Sequence, residues 1–427
     1  MLRHLYSLLL LLAVPFIITR LLIKSSASPA YRQRISERFG LFTLPTSIGD
    51  AKQVVWLHAV SVGETVAAAP LVKALLEREG TVVVLTTTTP TGADRAQALF
   101  GDTVHHLYAP YDLGIVIRGF LARVKPQLLI IMETELWPNM LHYCQARGVK
   151  TLLANARMSA RSARGYQRFR NMTAAMLESI DAIAAQSDDD QQRLIDLGAT
   201  KEKIRVTGSL KFHVHATAET KQDAIFQSVA NAGRPVVIAA STRAIDKEHE
   251  ETKVLDAWSK LSGDFDKPLL LLVPRHPERF AAVAELCREQ GWSVQRRSEA
   301  ESLAADTDIL LGDSMGELMA YYSLADIAFV GGSLVDTGCQ NVLEPAAIGL
   351  PIVVGASQFN FATICKQLEE AGALQTVTDS DELAQAISGL LANREQREEM
   401  AEAGRNLVAA NQQALPQLLI MIEELRR

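Results

Sequence analysis

Short, almost wholly apolar runs recur along this chain, and stretches with helical spacing lie between them. In the first half they are Val54 to Val60, Thr81 to Thr86, Gln127 to Met132, Thr151 to Ala154 and Ala182 to Ala185. Pro235 to Ile238, Leu269 to Val273, Asp308 to Leu311, Ile327 to Val330 and Ile352 to Val354 follow in the second. A strand that is apolar along its length has both faces buried, and strands that alternate with helices pair in parallel. The pattern predicts an α/β chain with doubly wound parallel sheets. At 427 residues, 48% hydrophobic and 22% charged, the chain has material for two such cores. A formal net charge of -6 argues against a general nucleic-acid binder. The four cysteines, Cys144, Cys287, Cys339 and Cys365, show no CxxC spacing and indicate neither a zinc site nor a disulfide framework.

The stretch from Asp326 to Phe361 shows how a ligand site is built into such a sheet. The strand Ile327 to Val330 stops at Gly331-Gly332, where the backbone can bend or approach a ligand closely. Asn341 to Pro345 then opens a helix, with Asn341 as a cap and Glu344 in the first turn. Unpaired N–H groups and a partial positive charge at such a helix start suit a phosphate or ribose. Glu344 reads either as a dipole partner or as an acceptor for ribose hydroxyls.

Other residues carry two readings as well. Ser61 to Glu64 fits the S-x-x-E capping box, yet Glu64 opens a helix just past a strand, where a carboxylate can serve as a general base. Arg275 follows a strand and offers a planar fork for phosphate oxygens, or a surface pair with Glu278. Gly312 to Gly316 fits G-x-S-x-G, the nucleophile elbow of α/β-hydrolases, but no histidine follows Ser314 to complete that triad. Neither G-x-G-x-x-G nor the P-loop pattern appears.

Several motifs run along the chain in a fixed order: HAVSVGE (His58 to Glu64), PYD (Pro110 to Asp112), ETELWPN (Glu133 to Asn139) and NARMSARS (Asn155 to Ser162). GSLKF (Gly208 to Phe212), PRHPERF (Pro274 to Phe280), GGSL (Gly331 to Leu334) and Asn341 to Pro345 complete the set. In these the chain resembles the bacterial 3-deoxy-D-manno-octulosonic acid (Kdo) transferases. That resemblance implies the GT-B fold, two Rossmann-like domains facing a cleft, and transfer of Kdo from CMP-Kdo to a lipid A precursor, with inversion and without metal or cofactor. It implies Glu64 as the base, with Glu135 and Lys211 beside it and Glu133 as an alternative to Glu135. It also implies Pro274, Arg275, Met315, Gly316, Glu317, Ser333, Asn341, Val342, Leu343 and Glu344 on the donor, and Gly63, Arg157 and Ser159 on the acceptor. The chain departs from the family pattern at Cys339-Gln340, at Gly355 to Ser357 and after Ser241-Thr242.

The amino terminus stands apart. Leu5 to Thr19 carries no charge, and Arg20, Lys24, Arg32, Arg34 and Arg38 follow it. Basic residues on that side predict a retained anchor in the bacterial inner membrane with a cytoplasmic body, crossing once, rather than a cleaved signal peptide. Arg32, Arg34 and Arg38 are also candidates for anionic lipid phosphates. The expected divisions are an anchor at 1–24, an acceptor domain at 25–215 and a donor domain at 216–427, with the polar stretch His213 to Arg234 as the crossing. A final helix, about Arg394 to Arg427, is expected to pack back. Two rivals are a GT-B enzyme using another nucleotide sugar, such as a UDP-sugar transferase or epimerase, and a non-catalytic nucleotide- or lipid-binding module.

Overall fold

The computed structural model describes residues 2–27, 29–44, 48, 51–213, 223–246, 248–261, 265 and 267–426. Its contacts divide the chain into two units, Met1–His213 with Asn411–Arg427, and Val214–Ala410. Each is a Rossmann-like parallel-sheet domain, the arrangement predicted from the apolar runs.

In the first unit the strands are β1 (Gln53–His58), β2 (Thr81–Thr87), β3 (His105–Tyr108), β4 (Leu128–Met132), β5 (Lys150–Ala156), β6 (Ala182–Ala185) and β7 (Ile204–Val206). They pair in parallel in the order β3-β2-β1-β4-β5-β6-β7. The chain winds outward one way from β1 and the other way from β4. The carboxyl ends of these two central strands therefore flank the switch point where such sheets bind ligands. Trp56, Ile131 and Phe120 pack on one face, and Leu57, Ile130, Leu71 and Leu418 on the other.

The second unit repeats the plan with β8 (Val236–Thr242), β11 (Leu269–Pro274), β12 (Val294–Arg296), β13 (Ile309–Leu311), β14 (Ile327–Val330), β15 (Ile352–Gly355) and β16 (Leu374–Val377). A two-strand hairpin, β9 (Ala244–Ile245) with β10 (Glu248–His249), follows β8. The sheet order is β12-β13-β11-β8-β14-β15-β16, so its switch point lies between β8 and β14.

Several expectations need correction. The expected crossing, His213 to Arg234, lies partly outside the described residues, and Ala224–Asn231 within it is a helix. Ile225, Phe226 and Val229, on one face of that helix, are enough to bury it. The single terminal helix is two, Arg394–Asn411 and Ala414–Arg426. Pro416 supplies no N–H for a helix running through the break, but it fits a first turn, so a new helix starts there.

Arg38 is not a lipid contact. It is 4% exposed, stands 4.1 Å from the Tyr108 ring centroid and donates to the Thr88 carbonyl at 2.9 Å. Arg34 is also engaged, with Glu37 at 2.6 Å and with the His106 carbonyl. Leu2–Ala27 forms one helix, and its stretch Leu2–Ser26 is long and apolar enough to cross a membrane by length and composition.

Candidate active site

Glu64 sits in the first turn of the helix Val62–Leu76, directly after β1. Ser61 caps that helix, accepting the Glu64 N–H at 3.2 Å and donating its hydroxyl to Glu64 Oε1 at 2.8 Å. Glu64 Oε2 accepts the Val60 N–H at 2.9 Å. The carboxylate is thus folded back over its own helix start, but the N–H it accepts is that of Val60, one residue before the cap, so only the Ser61 half of a capping box is formed. It is also only 7% exposed. Burial pushes its pKa up to about 7, the bonds from Ser61 and Val60 oppose this, and the charges of Glu135 and Glu133 add to it. The group that caps the helix is thus also a carboxyl tuned near neutrality.

Strand ends bring the partners. Glu133 follows β4 in the left-handed region, φ 55°, a conformation uncommon for a residue with a side chain. Lys211 Nζ lies 3.8 Å from Glu133 Oε1. The turn that carries Lys211 is fixed by Asn155 at the end of β5, whose Oδ1 accepts the Leu210 N–H at 3.0 Å. Glu135 Oε2 accepts from Trp137 Nε1 at 3.0 Å, and burial pushes the Glu135 carboxyl up, with the Glu133 charge adding. The Trp137 ring stands edge-on to His58 at 4.6 Å, and burial holds His58 neutral, its pKa pushed down to about 3. Glu64, Glu133, Glu135 and Lys211 therefore form one electrostatic group at the switch point of the first sheet.

The three acceptor candidates differ in what they offer. Gly63 leaves open space, since an added Cβ would meet only Ser61 Oγ at 3.9 Å. Arg157 is exposed and its carbonyl accepts the Thr134 hydroxyl. Ser159 caps the helix Ala160–Gln167, accepting the Ser162 N–H at 3.1 Å.

In the second unit the turn after β14 is held from beneath by Glu250. Its carboxylate accepts four backbone N–H groups: Gly332 at 2.6 Å, Ser333 at 2.9 Å, Leu334 at 2.9 Å and Arg243 at 3.0 Å. Glycine is required above it. A Cβ on Gly331 would lie 2.8 Å from the Thr242 nitrogen and 2.9 Å from Glu250 Oε2, and Gly332 has φ +78°. Next to Glu250, the fully buried Glu251 binds Arg279 through both carboxylate oxygens, at 2.9 and 2.6 Å. Sequence reasoning missed both acids, because two adjacent glutamates opening a helix look like dipole partners. The available signal was their position, in the helix that follows the central strand β8.

The predicted donor residues fall into two groups. Asn341 Oδ1 accepts the Leu343 N–H at 3.1 Å, and burial pushes the neighbouring Glu344 carboxyl up while Asn341 and the Arg275 charge hold it down. Arg275 itself is exposed just past Pro274, which ends β11. Ser333 turns its hydroxyl onto the Val330 carbonyl at 2.6 Å, and Val342 and Leu343 are buried, so the last two present only backbone to a ligand. The second group follows β13. Met315 is 63% exposed, Gly316 has φ +81°, and Glu317 accepts from Ser314 and lies 3.3 Å from Arg297. Among the described residues no group of three His, Cys, Asp or Glu side chains is arranged to hold a metal.

Similar proteins can be set beside this geometry. A family model for 3-deoxy-D-manno-octulosonic-acid transferases (kdotransferases) matches residues 33–214, and one for group 1 glycosyl transferases matches residues 221–407. The chain is 41% identical over 429 residues to the 3-deoxy-D-manno-octulosonic acid transferase of Haemophilus influenzae, covering 99% of this chain and 98% of that one. It is 39% identical over 379 residues to the same-named protein of Bordetella pertussis, covering 87% of each. Among solved structures, UDP-GlcNAc 2-epimerase from Neisseria meningitidis covers 87% of this chain and is itself covered in full, with a TM-score of 0.55 at 13% identity. At that identity the likeness speaks for the fold alone.

Proposed function

The chain belongs to the 3-deoxy-D-manno-octulosonic acid (Kdo) transferase family and is a glycosyltransferase, and from that premise we propose that it transfers Kdo from CMP-Kdo to a lipid A precursor. The observation that carries this reading is the relation to the Haemophilus protein along 99% of the chain. In the proposed reaction an acceptor hydroxyl oxygen attacks the anomeric carbon of Kdo. The bond from that carbon to the phosphate oxygen breaks, CMP leaves, and Glu64 takes the hydroxyl proton. Attack opposite the leaving group inverts the anomeric centre.

Each neighbour has a part in this proposal. Lys211, beside Glu133, faces the carboxylate of the sugar acid, and Glu135 steadies the base. Gly63, Arg157 and Ser159 meet the acceptor. Pro274, Arg275 and the backbone of Ser333, Val342 and Leu343 meet the donor phosphate, Glu344 with Asn341 the ribose, and Met315, Gly316 and Glu317 the base. The helix Leu2–Ala27 attaches the enzyme to the inner membrane, with the body on the cytoplasmic side, as the basic residues after the apolar run favour.

The reaction has a pH signature. Glu64 must be ionised to accept a proton, and its pKa is raised from 4.5 to about 7. kcat/KM should therefore fall as pH drops through about 7, and a pH–rate profile of the purified enzyme checks this. An acidic limb centred near 4.5 would contradict it.

Donor recognition gives a second expectation. Glu344→Ala removes one charged hydrogen-bonding partner of the ribose, at a cost of about 1.5–3 kcal/mol, or roughly 10- to 150-fold in CMP affinity. Calorimetry with CMP reads this directly, and an unchanged dissociation constant removes Glu344 from the ribose site.

A further inference from the structure

The apolar helix Leu2–Ala27 is attached to the first unit at both of its ends. At its start, Arg3 Nη1 donates to Asn139 Oδ1 at 2.9 Å, and Ser7 Oγ and Asn139 Nδ2 are 2.9 Å apart. The Tyr6 hydroxyl hydrogen-bonds the Asp112 carboxylate. Asp112 in turn accepts the N–H groups of Asn139 at 2.9 Å and Met140 at 2.7 Å, at the start of the helix Pro138–Ala146. The Tyr143 ring of that helix has Arg3 and Arg118 both 5.5 Å from its centroid.

Beyond the other end, the chain returns to the same unit within a few residues. Arg34 donates to the His106 carbonyl, Glu37 accepts the Tyr108 N–H at 2.9 Å, and the Arg38 carbonyl accepts the Tyr111 N–H at 2.8 Å. The segment 106–112 thus meets both Tyr6, in the second turn of the apolar helix, and the residues that follow that helix.

The helix itself has two sides. Positions 3, 6, 7, 10, 13, 14, 17 and 21 are only partly exposed and Ser25 is buried, and at 100° per residue these fall along one side of the helix. Leu5, Leu9, Leu12, Phe16 and Ile23 are 53 to 72% exposed. Ile115, one turn from Arg118, is 73% exposed as well. Arg20, Lys24 and Arg32 are exposed and cationic, which suits an anionic lipid surface.

A helix of 26 residues is about 39 Å long, against a hydrocarbon core of roughly 30 Å. Were it to cross the bilayer, Arg3 and Ser7 would emerge on the face opposite Arg34. They could not then reach Asn139, which lies in the same folded unit as the Arg34 contacts. We propose that Leu2–Ala27 lies lengthwise in one leaflet, the one facing the body. Its start is clasped to Asp112 and Asn139, and its exposed apolar face and Ile115 sit among acyl chains. It differs from the single crossing expected from the sequence. It rests on the proposed membrane attachment and fixes its geometry.

Cysteine labelling separates the two arrangements. The four native cysteines are buried, which keeps the background low, and His4 and Ser26 are exposed positions for substitution. The full chain carrying His4→Cys, and separately Ser26→Cys, is expressed in a Gram-negative host and treated with a membrane-impermeant maleimide as intact spheroplasts, then after permeabilisation. The expected result is that both variants sediment with membranes and both are labelled only after permeabilisation. Labelling of His4→Cys in intact spheroplasts, with Ser26→Cys protected, is the mark of a crossing helix and overturns the proposal. Failure of His4→Cys to label after permeabilisation, while Ser26→Cys does, also overturns it. Protein found in the soluble fraction defeats the attachment itself, a different failure from a crossing helix.

Discussion

Glu64→Gln should fold, bind CMP normally and lose turnover by about 10²–10⁴-fold, the usual worth of a positioned acid or base. The variant is informative because the carboxylate caps its helix and is also the proposed base. As a cap it accepts from Val60 N–H and from the Ser61 hydroxyl, and a glutamine carbonyl can still accept one of these bonds. A purely structural Glu64 therefore predicts a small loss of stability and near-normal transfer. A base predicts the reverse, since an amide cannot take a proton near neutral pH. The acidic limb of the pH–rate profile should also disappear from the residual activity. Melting temperature, CMP binding and transfer rate measured on one preparation decide between the two, and near-normal transfer by Glu64→Gln removes the base assignment.

Glu250→Ala should act through stability. The substitution leaves the N–H groups of Gly332, Ser333, Leu334 and Arg243 without their buried acceptor. Each abandoned donor costs about 1–3 kcal/mol, partly relieved where water enters, so a total of about 3–6 kcal/mol is expected. That is a large part of the stability of an ordinary domain, roughly 5–15 kcal/mol. The second unit should melt on the order of 10 °C lower, and CMP affinity should fall with it, because Glu250 holds the turn that carries Ser333. Burial pushes the Glu250 carboxyl up while the four N–H bonds hold it down, so any protonation of it loosens the same turn. Thermal unfolding with and without CMP measures both effects. A melting temperature within about a degree of the parent would show that the turn holds itself.

The interior of both sheets was legible in the sequence, and the edges were not. All ten apolar runs are strands that have a neighbour on each side. The four unforeseen strands of the two large sheets, β3, β7, β12 and β16, are the outermost ones. Edge strands are short and partly exposed: β3 is His-His-Leu-Tyr, and every residue of β12 is only partly buried. Without burial on both faces there is no continuous apolar run to read.

The candidate sites divide in a similar way. Glu64 had a reading from its own pattern, Glu133, Glu135 and Lys211 came only from the family resemblance, and the structure gathers all four. Glu250 and Asp112 hold backbone N–H groups that only the folded chain brings to them. No local pattern separates such an acid from a solvated one. Arg38 failed for the opposite reason, since a basic residue beside an apolar segment suggests lipid until its cation is found against Tyr108 and the Thr88 carbonyl.

The most direct test of Kdo transfer is to incubate the full chain with CMP-Kdo and the lipid A precursor lipid IVA and read the products by mass. The expected product is a lipid heavier by whole Kdo units, with one CMP released for each. An unchanged lipid mass with CMP-Kdo, alongside turnover of a UDP-sugar offered in its place, would contradict it.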